Sequence, residues 1–162
     1  MRPVLYAEDE ENDAFLMRRA FAKARVPMPL QIVVDGAAAI RYLSGTGEFA
    51  DRAKYPLPCL LLLDLNLPRQ SGIEVLEWVR TQRSLRTIPI VILTSSSQDR
   101  DIRSAYALGA NGYLVKPPSS EKLIELVAGL RDACLAADPS TQSWLEIKGN
   151  LPPPRRKSEK GQ

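Results

Sequence analysis

The run Leu60–Leu63, followed directly by Asp64, restricts the possible folds more than any other feature of the chain. Four consecutive apolar residues are typical of a strand buried on both faces, although periodicity alone does not exclude a buried helix. Pro68 and Gly72 favour the strand, because proline disfavours helical geometry at the preceding residue and the two residues together indicate a loop. Asp64 is therefore predicted at the carboxyl end of a buried strand, the edge where open α/β sheets bind ligands. A lone aspartate there more often only ends a strand, so the rest of the chain decides its role.

Five segments rich in strand-forming residues alternate with segments of helical periodicity. The predicted strands are Val4–Ala7, Gln31–Val34, Cys59–Leu63, Ile90–Thr94 and Gly112–Val115. Strict alternation predicts a parallel sheet covered by helices on both faces. The commonest topology of this kind is flavodoxin-like, a doubly wound (βα)5 α/β fold with strand order 2-1-3-4-5. We predict this fold for residues 1–138, followed by a C-terminal extension over residues 139–162.

Composition excludes several function classes. The chain contains no histidine, which removes Ser–His–Asp hydrolase chemistry, imidazole metal sites and any role as a phosphohistidine donor. Cys59 and Cys134 lack metal-ligand spacing and are interpreted as reduced core residues of a cytoplasmic protein. No apolar run approaches the roughly 20 residues that cross a bilayer, and no signal peptide precedes the first strand.

The extension is divided into an apolar arm, residues 143–152, and a basic end, residues 153–162. Trp144–Ile147 is predicted to form one more extended element, packed either on its own domain or on a second copy as a dimerising arm. The basic end is predicted to be disordered and solvated, without nucleic-acid or membrane partners. The long loop Gly45–Pro58 is predicted to be an exposed insertion, with a partner role or merely tolerated length.

Reactive side chains follow four of the predicted strands. The residues are Glu8 and Asp9 after the first strand, Asp64 after the third, Thr94 at the end of the fourth and Lys116 after the fifth. The predicted topology brings these ends to one edge of the sheet. Neighbouring carboxylates repel one another unless a cation lies between them, and an all-oxygen ligand set favours Mg²⁺ or Mn²⁺ over zinc. A carboxylate nucleophile, two metal-binding acids, a hydroxyl and an ammonium together suit an aspartyl-phosphate site.

A simpler explanation for acids after the first strand is that they complement the dipole of the following helix. We assign this role to Glu10, Glu11 and Asp13. Glu8 and Asp9 lie closer to the strand end and are kept as site residues.

Over roughly residues 2–137 the chain resembles the receiver domains of two-component response regulators. The matching motifs are Glu8-Asp9, Asp64 with Pro68 and Gly72, Thr94-Ser95, and Tyr113-x-x-Lys116-Pro117. Each motif is weak alone, but their combination in this order, each at a strand end, is specific. The resemblance implies phosphotransfer from a histidine kinase to Asp64.

The resemblance also implies the metal ligands. Asp64 would be the phosphoacceptor and would share a Mg²⁺ ion with Asp9, which binds the ion directly. Glu8 would bind the ion through water, and the backbone carbonyl of Asn66 would supply a further ligand.

The same resemblance implies a switch. Thr94 and Lys116 would contact the phosphoryl group, and Thr94 would move toward it. Tyr113 would then turn inward and change the face made by the fourth helix, fifth strand and fifth helix. The simpler interpretation of Tyr113 is a half-buried aromatic residue of a strand.

The expected function is that of a stand-alone response regulator rather than an enzyme, because the chain after residue 138 is too short for a helix-turn-helix output module. The long loop and the apolar arm resemble regulators paired with bacterial phytochromes, which implies a red-light-sensing histidine kinase as partner. Two alternatives remain open. One is a Mg²⁺-dependent phosphatase with an aspartyl nucleophile, although Asn66 stands where that family needs an acid. The other is a receiver-like binding module that works without phosphorylation.

Overall fold

The computed structural model describes residues 1–136 and 141–155. From residue 4 to residue 135 the strands and helices alternate along the chain as predicted, and one more short helix follows. In order they are β1 (Val4–Ala7), α1 (Glu11–Lys23), β2 (Leu30–Val33), α2 (Gly36–Ser44), a 3-10 turn (Gly47–Phe49), β3 (Leu60–Leu63), α3 (Gly72–Thr81), β4 (Ile90–Thr94), α4 (Asp99–Ala107), β5 (Gly112–Val115), α5 (Ser120–Leu135) and α6 (Thr141–Leu145).

The strands form one parallel sheet in the order β2-β1-β3-β4-β5. This confirms the predicted flavodoxin-like topology, with β3 in the centre of the sheet. The register pairs Ala7 at the end of β1 with Leu63 at the end of β3. The residues that follow these two strands are therefore neighbours at the carboxyl edge of the sheet.

The four leucines of β3 are fully buried because they divide between two cores. Leu61 and Leu63 pack with α2, α3 and α4 on one face of the sheet. Leu60 and Leu62 pack with α1 and α5 on the other face. Successive side chains of a strand point to opposite faces, so an unbroken apolar run is what a strand between two helical layers requires.

Two glycines allow close approach of the chain around the end of β3. A Cβ atom on Gly72 would lie 2.1 Å from the carbonyl oxygen of Asp64. A Cβ atom on Gly36 would lie 2.0 Å from the carbonyl oxygen of Gln70. Neither position has room for a side chain, so the loop after β3 is held tightly against Asp64.

The loop Gly45–Pro58 is folded against the domain. Phe49 and Tyr55 pack with Tyr42 of α2, with ring centroids 5.0 to 5.9 Å apart. Arg52 donates a hydrogen bond of 2.7 Å to the carbonyl oxygen of Tyr42 and so caps the end of α2. The segment is thus a structured part of the domain surface rather than a free insertion, and its partner role stays a prediction.

The prediction of an extended element at Trp144–Ile147 was wrong, because this segment begins within the helix α6. Trp144 and Ile147 are 1% and 7% exposed, and both pack in the core that contains α5. Residues three apart share a face in a helical turn but lie on opposite faces of a strand, so the helical form lets both side chains reach the core. The arm packs on its own domain in this structure. The predicted boundary at residue 138 and residues 156–162 of the basic end lie outside the described residues.

Cys59 and Cys134 are free thiols, as predicted, but both are only half-buried. They lie at the rim of the same core. The neighbouring Cys134 thiol outweighs burial and lowers the pKa of Cys59 to about 7. The neighbouring Cys59 thiol, together with burial, raises the pKa of Cys134.

Across the described part of the chain, no helix combines the length and apolarity needed to cross a membrane.

Candidate functional site

Four predicted site residues come together at the carboxyl edge of the sheet. Glu8 follows β1, Asp64 follows β3, Thr94 ends β4 and Lys116 follows β5. Glu8, Asp64 and Thr94 are at most 4% exposed. Buried charges require partners, so the contacts among these side chains determine which charges the site can hold.

The ammonium group of Lys116 is the centre of the site. Its Nζ atom lies 2.7 Å from Oδ2 of Asp64, 2.8 Å from Oδ2 of Asp13 and 2.9 Å from Oε2 of Glu8. Burial acts to lower the pKa of Lys116, but hydrogen bonds to Asp13, Asp64 and Glu8 outweigh it and raise the pKa. Lys116 therefore stays charged and neutralises part of a site with three carboxylates.

Asp13 lies in the first turn of α1, as predicted, and it also contacts Lys116, which the sequence did not predict. α1 begins at the edge where β1 ends, so its first turn can reach the site. Met17, one helical turn later, is buried. Residues four apart share a helix face, so the phase of the apolar residues already placed Asp13 on the inner side.

The carboxyl group of Glu8 is strongly affected by its burial. Burial raises its pKa to about 7, even though the hydrogen bond with Lys116 acts in the opposite direction. Oε1 of Glu8 accepts a hydrogen bond from the backbone N–H of Glu10 at 3.1 Å, and Oε2 accepts one from the hydroxyl of Tyr6 at 3.2 Å. Burial and the neighbouring Glu8 raise the pKa of Tyr6. The carboxyl group of Glu8 therefore gains or loses its proton near neutral pH.

The Oδ1 atom of Asp64 faces β4 and the loop that follows Asp64. Oδ1 accepts a hydrogen bond of 3.0 Å from the Thr94 hydroxyl and another of 3.0 Å from the backbone N–H of Asn66. Oδ2 is the atom bonded to Lys116. Each oxygen of this carboxylate therefore has a donor, and the hydroxyl and ammonium that were predicted to contact a phosphoryl group both contact Asp64.

Tyr113 on β5 is fully buried rather than half-buried. Its hydroxyl donates a hydrogen bond of 2.9 Å to the carbonyl oxygen of Ser96, in the loop after β4. Burial raises the pKa of the phenol. The ring therefore lies inward while the Thr94 hydroxyl faces Asp64.

The oxygen donors at this edge suit a hard cation such as Mg²⁺, since neither imidazole nor thiolate is present among them. Asp9 and Asn66 are exposed at this edge, while Glu8 and Asp64 turn toward Lys116. Among the described residues, no three carboxylate, imidazole or thiol groups are arranged to hold a metal ion in this conformation. The donor chemistry fits the predicted metal. Asp9, Asp64 and the carbonyl of Asn66 would hold the ion directly, and Glu8 would bind it through water.

The buried aspartate after the central strand is bonded to a threonine at the end of β4 and to a lysine after β5, at the edge of the sheet where the receiver motifs were predicted to meet. The family model for the response regulator receiver domain matches residues 4–128. The chain belongs to this family, as the motifs predicted.

Relatives with red-light or phytochrome associations are among the similar proteins. The response regulator Rcp1 of Synechocystis sp. is 35% identical over 78% of this chain and 84% of its own length. The crystal structure of its Mn²⁺-bound form has a TM-score of 0.75 and covers 85% of this chain and 97% of that one. A response regulator in red light signalling of R. palustris has a TM-score of 0.80, 33% identity and coverage of 85% and 96%. The phosphorylated cyanobacterial phytochrome response regulator RcpA has a TM-score of 0.77, 35% identity and coverage of 86% and 99%.

Proposed function

We propose that the protein accepts a phosphoryl group on Asp64 from a histidine kinase and signals through the face made by α4, β5 and α5. The observation that carries the proposal is the pair of contacts to Asp64, from Lys116 at 2.7 Å and from Thr94 at 3.0 Å. These groups already surround the carboxylate at the point where a phosphoryl group would be attached. Membership of the receiver family supports the same role.

In the proposed transfer, an oxygen of Asp64 attacks the phosphorus of a phosphohistidine on the kinase. The P–N bond breaks, and the histidine nitrogen keeps the electron pair and takes up a proton. Lys116 neutralises a phosphoryl oxygen, and the Thr94 hydroxyl donates a hydrogen bond to another. A bound Mg²⁺ ion would supply further positive charge to the phosphoryl oxygens.

The test is incubation with acetyl phosphate and Mg²⁺ followed by intact mass measurement. We expect the mass of one added phosphoryl group in the natural chain and none in Asp64→Asn, because the amide is not a nucleophile of this kind. Asp132→Asn, an exposed change on α5, is the matched control and should be labelled normally. Labelling of Asp64→Asn would contradict the assignment of the phosphoacceptor.

An enzymatic alternative on a similar fold is a phosphatase that turns over phosphate esters. We propose that this protein is instead a stoichiometric acceptor and not such an enzyme. Asn66 stands where the acid of that phosphatase family is needed, and its backbone N–H contacts Asp64. A stable adduct without steady phosphate release from a generic ester is the expected result. A phosphorylation-independent module, by contrast, would keep full signalling in Asp64→Asn.

The proposed partner is a red-light-sensing histidine kinase of the phytochrome type. The support comes from two similar proteins, a response regulator in red light signalling at 33% identity and a cyanobacterial phytochrome response regulator at 35% identity. Faster phosphorylation of this protein by a phytochrome kinase than by an unrelated histidine kinase, at equal kinase concentration, is the outcome that this pairing predicts.

Magnesium binding is expected to depend on pH through Glu8. Because burial holds the pKa of Glu8 at about 7, the carboxyl must lose a proton before it can contribute negative charge to the ion. Mg²⁺ affinity should therefore rise about tenfold between pH 6 and pH 8 and then level off. Isothermal titration calorimetry at pH 6, 7 and 8 measures this directly.

Glu8→Gln should flatten that pH profile, whereas Glu11→Gln, an exposed change at the start of α1, should keep it. An affinity of the natural chain that stays constant between pH 6 and pH 8 would contradict the role of Glu8.

A further inference from the structure

The segment 144–151, here called the strap, crosses the face made by α5, β5 and α4. Trp144 and Ile147 are buried in the core beside α5. Leu151 packs against the core on the opposite side of the sheet, which contains α4. The strap therefore passes over the outer edge of β5, the last strand of the sheet.

The strap is hydrogen-bonded to the backbone of the predicted switch residue. Oδ1 of Asn150 accepts the backbone N–H of Tyr113 at 2.9 Å, and the backbone N–H of Leu151 donates to the carbonyl oxygen of Tyr113 at 2.9 Å. Both outward polar groups of Tyr113 on the edge strand are thereby satisfied. An edge strand otherwise leaves such groups open.

The strap also holds α4 through Tyr106. The Tyr106 hydroxyl donates to the carbonyl oxygen of Leu151 at 2.5 Å, and Nδ2 of Asn150 donates to the Tyr106 oxygen at 3.2 Å. The side chain of Asn150 therefore bridges β5 and α4, so that one residue of the strap bonds two elements of the proposed signalling face.

Three hydrogen bonds and one short piece of chain lead from Asn150 to Asp64. Tyr113, bonded by Asn150, holds the carbonyl of Ser96 through its hydroxyl. Ser96 lies two residues after Thr94, which bonds Asp64. Tyr113 is thus bonded by the strap at its backbone and bonded through its hydroxyl to the loop that follows Thr94.

We propose that the strap is an intramolecular effector of the switch and that Asn150 is its positioning residue, so that strap docking and occupation of Asp64 stabilise each other. The inference rests on the proposed phosphorylation of Asp64. A docked strap favours the arrangement in which it bonds the Tyr113 backbone and the Tyr106 hydroxyl, and a phosphoryl group favours the same arrangement through Thr94. If strap docking and the phosphoryl group favour the same state, each must increase the equilibrium constant of the other by the same factor.

The experiment measures both directions of this linkage as equilibria. Beryllofluoride with Mg²⁺, a reversible phosphoryl analogue, is titrated into the full chain and into Asn150→Ala. We expect the affinity to fall about fivefold in Asn150→Ala, the effect of about one net hydrogen bond. Lys148→Gln, an exposed change within the same strap, is the matched control and should bind as the natural chain does.

The reverse direction is read by hydrogen exchange of the strap amides. Beryllofluoride should slow exchange of segment 144–151 about fivefold in the natural chain and much less in Asn150→Ala. The slowing should be the same at two protein concentrations tenfold apart, because the strap docks on its own domain. A cooperative urea transition in Asn150→Ala ensures that its lower affinity reports on the linkage and not on unfolding.

Failure of the linkage between strap and switch can be told apart from failure of the proposed phosphorylation of Asp64. Equal beryllofluoride affinity in the natural chain and Asn150→Ala overturns the linkage alone. Faster exchange of the strap on beryllofluoride binding also overturns it, since the strap would then compete with the switched state. Protection that rises with protein concentration overturns docking within one chain. A natural chain that does not bind beryllofluoride at all removes the proposed function, and the linkage with it.

Discussion

Replacing Lys116 with methionine is expected to lower the free energy of unfolding at pH 8 by about 3 kcal/mol. Methionine keeps an unbranched apolar stem but removes the ammonium that lies within 2.9 Å of three carboxylates. Glu8 and Asp64 are buried, so their charges would be left without a nearby cation. Breaking a buried ion pair from one side costs far more than losing an exposed one.

The same substitution should cost less at pH 6 than at pH 8. The pKa of Glu8 is already raised to about 7 by burial, and loss of Lys116 raises it further. An acid with a higher pKa in the folded than in the unfolded state stabilises the fold at low pH, and this stability is lost as pH rises through the folded pKa. At pH 6 a proton on Glu8 therefore replaces part of the missing charge.

Urea unfolding at pH 6 and pH 8 measures the effect. Lys23→Met, which removes an exposed lysine at the end of α1, is the control and should change stability by only a few tenths of a kcal/mol. A Lys116→Met chain that is as stable as the natural one at pH 8 would show that the three carboxylates do not depend on this ammonium.

The sheet was predictable because each strand carries its own signal. The buried run Leu60–Leu63 is apolar on both faces, and the alternation of strands with helical segments leaves few topologies. Strand ends differed from prediction by one residue at β2 and β3, since the ends of elements depend on hydrogen bonds that sequence patterns do not record.

The site was predictable wherever a reactive residue directly follows a strand, as Glu8, Asp64 and Lys116 do. Asp13 was not recognised, because it lies on a helix and its position depends on the phase of α1 relative to the sheet. The predicted metal ligands Asp9 and Asn66 stay predictions. Their roles depend on a cation, whereas the contacts in this structure are made to Lys116 and Asp64.

The apolar arm was predicted to be extended but begins within a helix, because its form depends on packing rather than on local sequence. The apolar residues at 144, 145 and 147 fit neither a strand nor a long helix, and local propensity is a weak guide in so short a segment. Packing against α5 and the edge of β5 decides its form. Such tertiary contacts cannot be read from the sequence of the arm. The apolar character of Trp144 predicted only that this residue would be buried.

Trp144→Ala is expected to lower the free energy of unfolding by about 3 kcal/mol, the usual cost of removing a buried aromatic side chain. Trp144 is 1% exposed and packs in the core beside α5. Among the described residues, its Nε1 is the one buried side-chain nitrogen or oxygen without a hydrogen-bond partner. An unpaired buried N–H costs about 1 to 3 kcal/mol. Packing of the Trp144 ring therefore stabilises the fold, whereas its unpaired indole N–H destabilises it.

Trp144→Phe separates these two contributions. Phenylalanine keeps an aromatic ring in the core and removes the unpaired donor, so we expect a stability within about 1 kcal/mol of the natural chain. Urea unfolding of both variants at one protein concentration gives the comparison, with Trp78→Phe at a half-buried position of α3 as control. If Trp144→Phe were as destabilised as Trp144→Ala, the indole N–H would have a partner, and the strap would be held by a hydrogen bond as well as by packing.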